Sequence, residues 1–129
     1  MPEEYTALVS ALKSLTQPVG PVTSEGTQET ITLPMAEDEW NTRPDAVSYG
    51  IVILDFEADA LTGDNIKTDA AHEGSLHLFS KNRSGAGWIQ LLTGTLTAHC
   101  DACWSLNSHV YERETGLFHW EWTFQIEGR

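Results

Sequence analysis

The chain has 129 residues, a hydrophobic fraction of 40% and a formal net charge of −12 at pH 7. This length is typical of one domain that buries its core without disulfides or metals. A protein that grips nucleic-acid backbone needs a basic footprint, so the acidic balance argues against that class, although not against a protein that lets DNA pass. No apolar run approaches the roughly 20 residues of a membrane helix, and the N-terminal residues lack a signal-peptide pattern, so we expect no membrane contact and synthesis in the cytoplasm.

The first predicted element is an amphipathic helix in PEEYTALVSALKSL. Tyr5, Leu8, Leu12 and Leu15 recur at helical spacing, so one stripe of this helix needs a sheet or a second helix to cover it. The chain then becomes rich in Pro, Gly, Ser and Thr. Within this part TQETITLP predicts a short strand, and we expect a long polar loop at about 23–46.

The middle of the chain predicts two strands and a second helix. AVSYGIVILDFEA is apolar at both odd and even positions, which is the pattern of a strand covered on both faces, so we predict the central strand of a sheet here. EGSLHLFSK predicts a further short strand. In WIQLLTGTLTAHC, Trp88, Leu91, Leu92 and Leu96 share one helical face, with Ile89 beside them.

The end of the chain, CWSLNSHVYERETGLFHWEWTFQIE, predicts a β-hairpin that turns near ERETG. In its first strand, Trp104, Leu106 and Val110 alternate with polar residues. In its second strand, apolar residues occupy every second position, which indicates a half-buried strand rather than an aromatic ligand cage; they are Phe118, Trp120, Trp122, Phe124 and Ile126. The elements together predict a single α+β domain over residues 1–129, in which two helices cover one face of a mainly antiparallel sheet.

A group of metal-ligand residue types occurs in HCDAC. His99, Cys100 and Cys103 are weak candidates for a metal site, because a structural zinc site needs four ligands and no second pair of this spacing follows. His109 and His119 occupy polar positions in the alternating pattern of the two hairpin strands, so we expect them to lie close together across the hairpin. We predict no metal and no cofactor, with the cysteines replaceable by serine without loss of the fold.

Enzyme motifs are missing from the sequence. It contains no glycine-rich phosphate loop and no Gly-x-Ser-x-Gly elbow. Asp55, Glu57 and Asp59 follow one parity at the end of the predicted central strand, and a solvated strand end explains them better than a metal or base site. We therefore predict that the chain is not an enzyme.

The order of elements resembles a known family. An N-terminal helix, a polar hairpin region, the strand YGIVILDFEAD, the strand GSLHLFSK leading into a helix, and the closing hairpin VYERETGLFHWEWTFQIE are similar to the tail terminator and tail completion proteins of long-tailed bacteriophages. The resemblance runs from about Tyr5 to Glu127. The segment TSEGTQETITLPMAEDEWNTRPD has no clear counterpart in it.

The resemblance implies a structural role in the virion. Proteins of this family form a ring, commonly a hexamer, at the head-proximal end of the tail tube, where they meet the connector proteins of the head. DNA passes through the ring without specific binding, and like charge would oppose adhesion. The expected partners are other copies of the chain, the tail tube protein and the head-tail connector proteins.

The loop MAEDEWNTRPDA is the contact that we predict from the sequence. Trp40 and Arg43 are of the residue types that most often dominate interfaces, and Asp38 adds an acidic group beside them. We expect this loop to meet the next subunit or the tail tube, and to be mobile in the monomer. Changing Trp40 to alanine and Arg43 to glutamate is then expected to abolish ring formation while leaving the melting temperature nearly unchanged.

Three other interpretations stay open on the sequence alone. The chain could be another neck, connector or minor tail component of a phage. It could instead be a small metal- or ligand-binding domain centred on the Cys-x-x-Cys and the histidines, or an enzyme subunit that takes its active residues from a partner chain. The zinc content and the size of the native particle distinguish the metal-binding domain from the ring.

Overall fold

A computed structural model describes residues 3–40, 44, 46–57, 71–100 and 104–127. The elements in chain order are α1 (Glu3–Lys13), β1 (Thr16–Val19), β2 (Glu29–Thr32), β3 (Met35–Glu37), β4 (Ser48–Glu57), β5 (Ala71–Ser80), a 3-10 turn (Gly85–Gly87), α2 (Trp88–Cys100), β6 (Trp104–Glu112) and β7 (Leu117–Glu127). Five strands form a sheet in the order β3-β4-β5-β7-β6, in which only the β3–β4 pair is parallel. The predicted α+β class with a closing hairpin is confirmed.

Both helices contribute to one core against one face of this sheet. From α1, Tyr5, Leu8 and Leu12 are buried, and from α2 the fully buried side chains include Leu92 and Leu96. The apolar stripes read from helical spacing are therefore the faces that pack on the sheet, which is how an amphipathic helix gains most of its stability.

The aromatic strand β7 supplies the sheet side of the same core. Trp120 is 3% exposed and Trp122 is fully buried, as predicted from their shared parity. They lie directly opposite Leu78 and Leu76 of β5, so these pairs point to the helix-covered face. The aromatic residues of this parity are architecture and not a ligand cage.

Gly74 allows a close approach in this core. A β-carbon at this position would lie 2.5 Å from the ring of Phe124 and 2.5 Å from the carbonyl oxygen of Ile53. A glycine inside a strand often marks such a contact. Its absence of a side chain lets the Phe124 ring pack directly over the backbone of β5.

The position predicted for the central strand is wrong by one strand. β4 is second in the sheet, and β5 is central. In β4, Val52 lies in the core, whereas Ile51 and Ile53 on the opposite face are only half-buried. Apolar residues at both odd and even positions had predicted a strand with both faces buried. In the structure only the face of β4 that carries Val52 lies in the core.

The predicted loop at about 23–46 is also corrected. It contains β2, which was expected, and β3, which joins the main sheet parallel to β4 and buries Met35. A strand of three residues is too short to show a period, so the sequence pattern missed it. The sequence also missed β1, where Pro18 and the following Pro and Gly residues favoured a loop.

β1 and β2 form a two-stranded antiparallel sheet apart from the main one. We call residues 16–32 the ribbon. Every residue from Gly20 to Thr32 is exposed. The base of the ribbon is held by the Leu33 amide, which donates to the Leu15 carbonyl at 3.1 Å, and by Gln17 Nε2, which donates to the Ala86 carbonyl at 3.0 Å.

Candidate functional site

The predicted metal group is only partly within the described residues. His99 is half-buried and Cys100 is 3% exposed in the last turn of α2, where Cys100 packs in the core. Cys103 lies outside the described residues, as do Arg43 and Asp59. Among the residues that are described, no three or more His, Cys, Asp or Glu side chains are grouped to hold a metal ion.

Trp40 contacts its own chain. Its indole Nε1 donates a hydrogen bond to the Gly50 carbonyl at 3.1 Å, and its ring meets Tyr49 edge-on with centroids 6.2 Å apart. The preceding Asp38 is exposed, has a φ of 68°, and donates its amide to the Val52 carbonyl at 2.9 Å. These contacts anchor the side of the loop next to β4, so Trp40→Ala is expected to lower the stability of the monomer, against the sequence-based expectation. The proposed contact role of the loop stays a prediction.

The sheet face opposite the helices carries the densest group of polar and aromatic side chains, and we call it the open face. It includes Tyr49, Ile51 and Ile53 from β4, Ser75, His77 and Phe79 from β5, His119, Glu121 and Thr123 from β7, and Val110 and Glu112 from β6. Most of these side chains are half-buried. The open face is therefore neither a second core nor a freely solvated surface.

A row of stacked rings crosses the open face. Tyr49 stacks on Phe79 with centroids 5.1 Å apart, and Phe79 stacks on His119 at 4.3 Å. Trp40 extends the row at the β4 end. Aromatic pairs in such geometries contribute about 0.5–1.5 kcal/mol each beyond the area they bury, so this row helps to fix the order of the strands.

Three hydrogen bonds join polar groups of the open face. Ser75 Oγ lies 3.1 Å from His77 Nε2, His77 Nδ1 lies 2.8 Å from His119 Nε2, and His119 Nδ1 lies 3.0 Å from Glu112 Oε2. An ionised carboxylate can only accept, so His119 Nδ1 is a donor. In a neutral His119, Nε2 is then the acceptor for His77 Nδ1, and His77 Nε2 accepts from the Ser75 hydroxyl. The three hydrogen bonds therefore donate in the same direction, from Ser75 through His77 and His119 to Glu112.

This array joins strands and does not present a nucleophile. A serine hydroxyl bonded to a histidine is the arrangement of a nucleophile with its base. Here Ser75 is only 9% exposed and lies within the central strand, so its hydroxyl is not offered to a substrate. The array instead connects β5, β7 and β6 through side chains that also satisfy one another's hydrogen bonds.

The expected proximity of His109 and His119 is wrong. A register shift between Leu106 and Ser108 in β6 places His109 opposite Trp120, on whose ring it stacks at 4.5 Å, and places Val110 opposite His119. One extra residue in a strand moves every later side chain to the other face. The partner of His119 is His77, which sequence reasoning missed because only the β5–β7 register brings the two together.

A small hollow lies between α1 and β3. It has a volume of about 200 Å³ and is lined by Tyr5, Thr6, Val9, Ser10, Lys13 and Glu37. Burial, assisted by the nearby charges of Glu37 and Asp38, raises the pKa of Tyr5 to about 12. The hollow is smaller than the roughly 300–1,000 Å³ of most ligand sites, which makes it a poor candidate for a substrate pocket.

Exposed apolar side chains occur at two other places. Val22 and Ile31 lie on the ribbon. The second place is the end of the sheet where β5 ends and β7 begins, together with the edge strand β6. The large apolar residues exposed there are Val47, Leu106, Val110 and Tyr111. Because consecutive strand residues point to opposite faces of a sheet, Val110 and Tyr111 lie on the two sides of the β6 edge.

Basic side chains gather at the same end of the sheet. Lys81 and Arg83 follow β5, and Arg113 lies in the turn between β6 and β7; these are three of the seven Lys and Arg residues of the chain. The pairs Ser48–Ser80 and Ser80–Phe118 place the start of β4, the end of β5 and the start of β7 at one level. We call Val47, Lys81, Arg83, Val110, Tyr111 and Arg113 together the basic end.

Within the described parts of the chain, no helix has the length and apolar character needed to cross a membrane. Comparison of the chain with protein-family models, with curated proteins and with solved structures found no match.

Proposed function

We propose that this chain is a structural protein of phage assembly, a tail terminator that forms a ring at the head-proximal end of the tail tube and joins the tail to the head. The main support for the proposal is the exposed ribbon, because a projecting hairpin of this kind can contact another chain in an assembly but makes few contacts within a monomer. The order of elements, with two helices on one face of a mainly antiparallel sheet and a closing hairpin, supports the same family.

An isolated two-stranded ribbon is marginally stable in water. Among the described strands, β1 and β2 of the ribbon pair only with each other, Gln17 at the base bonds to Ala86, and every residue from Gly20 to Thr32 is exposed. A surface on another chain that covers it would add the missing stabilisation. When one surface of a protomer meets a different surface of an identical protomer, the contact is heterologous, and it closes into a ring if the rotation permits.

The edge strand β6 offers the second kind of surface. It pairs with β7 on one side only, and Leu106, Val110 and Tyr111 are about half exposed, at 45%, 49% and 53%. The register shift at Leu106 interrupts the edge, which disfavours simple addition of another strand. Contact through side chains is therefore favoured over an extended ladder.

The expected partners follow from this role. Other copies of the chain build the ring, the tail tube protein lies below it, and the connector proteins of the head lie above it. The net charge of −12 suits a lumen through which DNA slides, because like charge opposes adhesion. The protein would act by stoichiometric assembly in the virion, with no chemical step and no cofactor.

Particle assembly with and without this gene tests the proposal. Cells that express the phage structural genes are expected to yield joined heads and tails only when this chain is present, as seen by electron microscopy of purified particles. A protein carrying a tag at its C-terminus is expected at the neck of those particles. Normal joining in the absence of the gene would overturn the proposal.

Native mass spectrometry separates this function from a small metal-binding domain. A ring is expected to give a multiple of the 14.3 kDa chain mass without bound zinc. A zinc-loaded monomer that unfolds with a chelator would support the metal-binding domain instead. The Trp40→Ala, Arg43→Glu variant tests the predicted loop contact, with Trp40→Ala alone as the control for its effect on the monomer.

A further inference from the structure

We infer that the ribbon of one protomer docks on the basic end of a second copy of the chain. The inference names the contact by which the proposed assembly forms, and so it rests on the proposed function for the identity of the partner. It differs from the contact predicted from the sequence, which was the loop of Trp40 and Arg43.

The ribbon is an acidic surface with two exposed apolar side chains. Residues 16–32 contain Glu25 and Glu29 but neither lysine nor arginine. Val22 is 61% exposed and Ile31 is 46% exposed. The ribbon thus offers negative charge and apolar surface together, which is the composition of a contact and not of a merely solvated loop.

The basic end has the complementary composition. Arg113 and its neighbours Lys81 and Arg83 are exposed and form no ion pair within the described residues. Of the acidic groups beside Arg113, Glu112 is bonded to His119, which leaves Glu114 as the exposed carboxylate of that turn. In a chain with a net charge of −12, a local excess of unpaired cations requires an explanation.

The apolar residues divide between the same two surfaces. Six large apolar side chains are exposed in the described part of the chain, and all but Leu106 belong to the ribbon or to the basic end. Tyr111 and Arg113, which lie two positions apart with Glu112 between them, are of the types enriched at the centres of interfaces. Charge complementarity would orient the encounter, and the apolar side chains would supply most of the affinity.

The dimensions of the two surfaces agree. From β4 to β6 the sheet spans three strand spacings, which is roughly 14 Å. The paired part of the ribbon has four residues in each strand, which is also roughly 14 Å long. In the single chain both surfaces stay exposed, so the ribbon does not fold back onto its own basic end, and a second copy is the partner that fits.

Charge reversal with matched controls tests the docking. Glu29→Lys on the ribbon and Arg113→Glu at the basic end are each expected to raise the concentration for half-association by about tenfold or more, measured by analytical ultracentrifugation. Glu73→Lys and Lys13→Glu make the same charge changes at other exposed positions and are expected to leave association unchanged. All four variants should melt within a few degrees of wild type, because each altered side chain is exposed and the Lys13–Glu37 ion pair that one of them removes is a surface pair, which contributes little to stability.

A combined variant gives the decisive outcome. Glu29→Lys with Arg113→Glu in one chain exchanges one charge between the two surfaces, while Glu25, Lys81 and Arg83 keep theirs, so association is expected to recover in part. If neither single reversal weakens association more than its control does, or if the wild-type chain is monomeric at all concentrations, the docking is wrong. A closed dimer that both reversals disrupt would retain the docking and overturn the ring, whereas normal head joining without the gene would overturn the proposed function alone.

Discussion

The two faces of the main sheet differ in how they are held together. On the helix-covered face, β7 contributes Trp120 and Trp122, which are 3% and 0% exposed and pack among leucines. On the open face, the same strand contributes His119 and Glu121, which are half-buried. His119 is held by side-chain hydrogen bonds to His77 and Glu112 and by stacking on Phe79.

This difference shows that one strand can serve two kinds of stabilisation. Burial of apolar area is non-directional and tolerates many arrangements of side chains. A hydrogen-bonded array is directional, and each member depends on the correct register of its neighbours. The covered face is therefore expected to dominate stability, and the open face to contribute less but to specify the strand order.

Truncating Trp122 is expected to produce the largest loss of stability. Trp122→Ala removes a fully buried indole and should lower the free energy of unfolding by about 3–5 kcal/mol, and Trp120→Ala should act similarly. Urea denaturation followed by circular dichroism measures the change. Trp122→Phe is the control, since it keeps an aromatic ring and removes an indole Nε1 that has no acceptor among the described residues. An alanine variant as stable as wild type would show that the helix-covered face does not dominate the stability of the fold.

At alkaline pH, ionisation of Tyr5 is expected to lower the stability of the fold. Its pKa rises from 10.0 to about 12 in the folded chain, chiefly because of burial. Below pH 10 both states keep the proton, so the stability is unaffected; between pH 10 and about 12 only the unfolded state loses it. The free energy of unfolding should fall by roughly 2–3 kcal/mol across that interval.

Urea unfolding midpoints over the same pH interval measure this loss. Tyr5→Phe cannot ionise, so its midpoint should decline less steeply than that of wild type. Equal slopes for the two proteins would show that burial does not raise the pKa of Tyr5.

Removing His119 tests the open face. His119→Ala deletes two hydrogen bonds and a stacking contact and should lower the free energy of unfolding by about 1–2 kcal/mol. His109→Ala is the matched control on the other face, where the exposed His109 stacks on Trp120. Chemical denaturation of both variants decides the matter; a loss for His119→Ala that is no greater than for His109→Ala would mean that the array contributes nothing.

Replacing Cys100 is expected to have the smallest effect. Cys100→Ser introduces a hydroxyl at a core position that is 3% exposed, so a loss of about 1 kcal/mol is expected with the fold retained. Thermal melting with and without a chelator measures both the change and any dependence on metal. Unfolding of the wild-type chain by the chelator would instead assign a structural metal to this region.

Periodicity alone predicted the elements with long, regular patterns. α1, α2 and β7 were expected from spacing, and most residues that the spacing selected are buried, although Leu91 and Phe118 are half-buried and Leu117, of the opposite parity, is buried as well. These elements depend mainly on local sequence, because a helix or strand with one apolar side has one way to bury it. The class of fold followed from their order.

Register and short elements could not be predicted in the same way. The sequence contains no local sign of the extra residue in β6, yet that residue separates His109 from His119. Likewise β3 gains its place only by pairing with β4, and the basic end exists only because strand pairing brings Arg113 to the level of Lys81. The amino-acid sequence by itself determined the two helices, the aromatic strand and its apolar face, since these rest on periodic burial. The open-face array and the two complementary surfaces were decided by tertiary structure, because they depend on contacts between residues far apart in the chain.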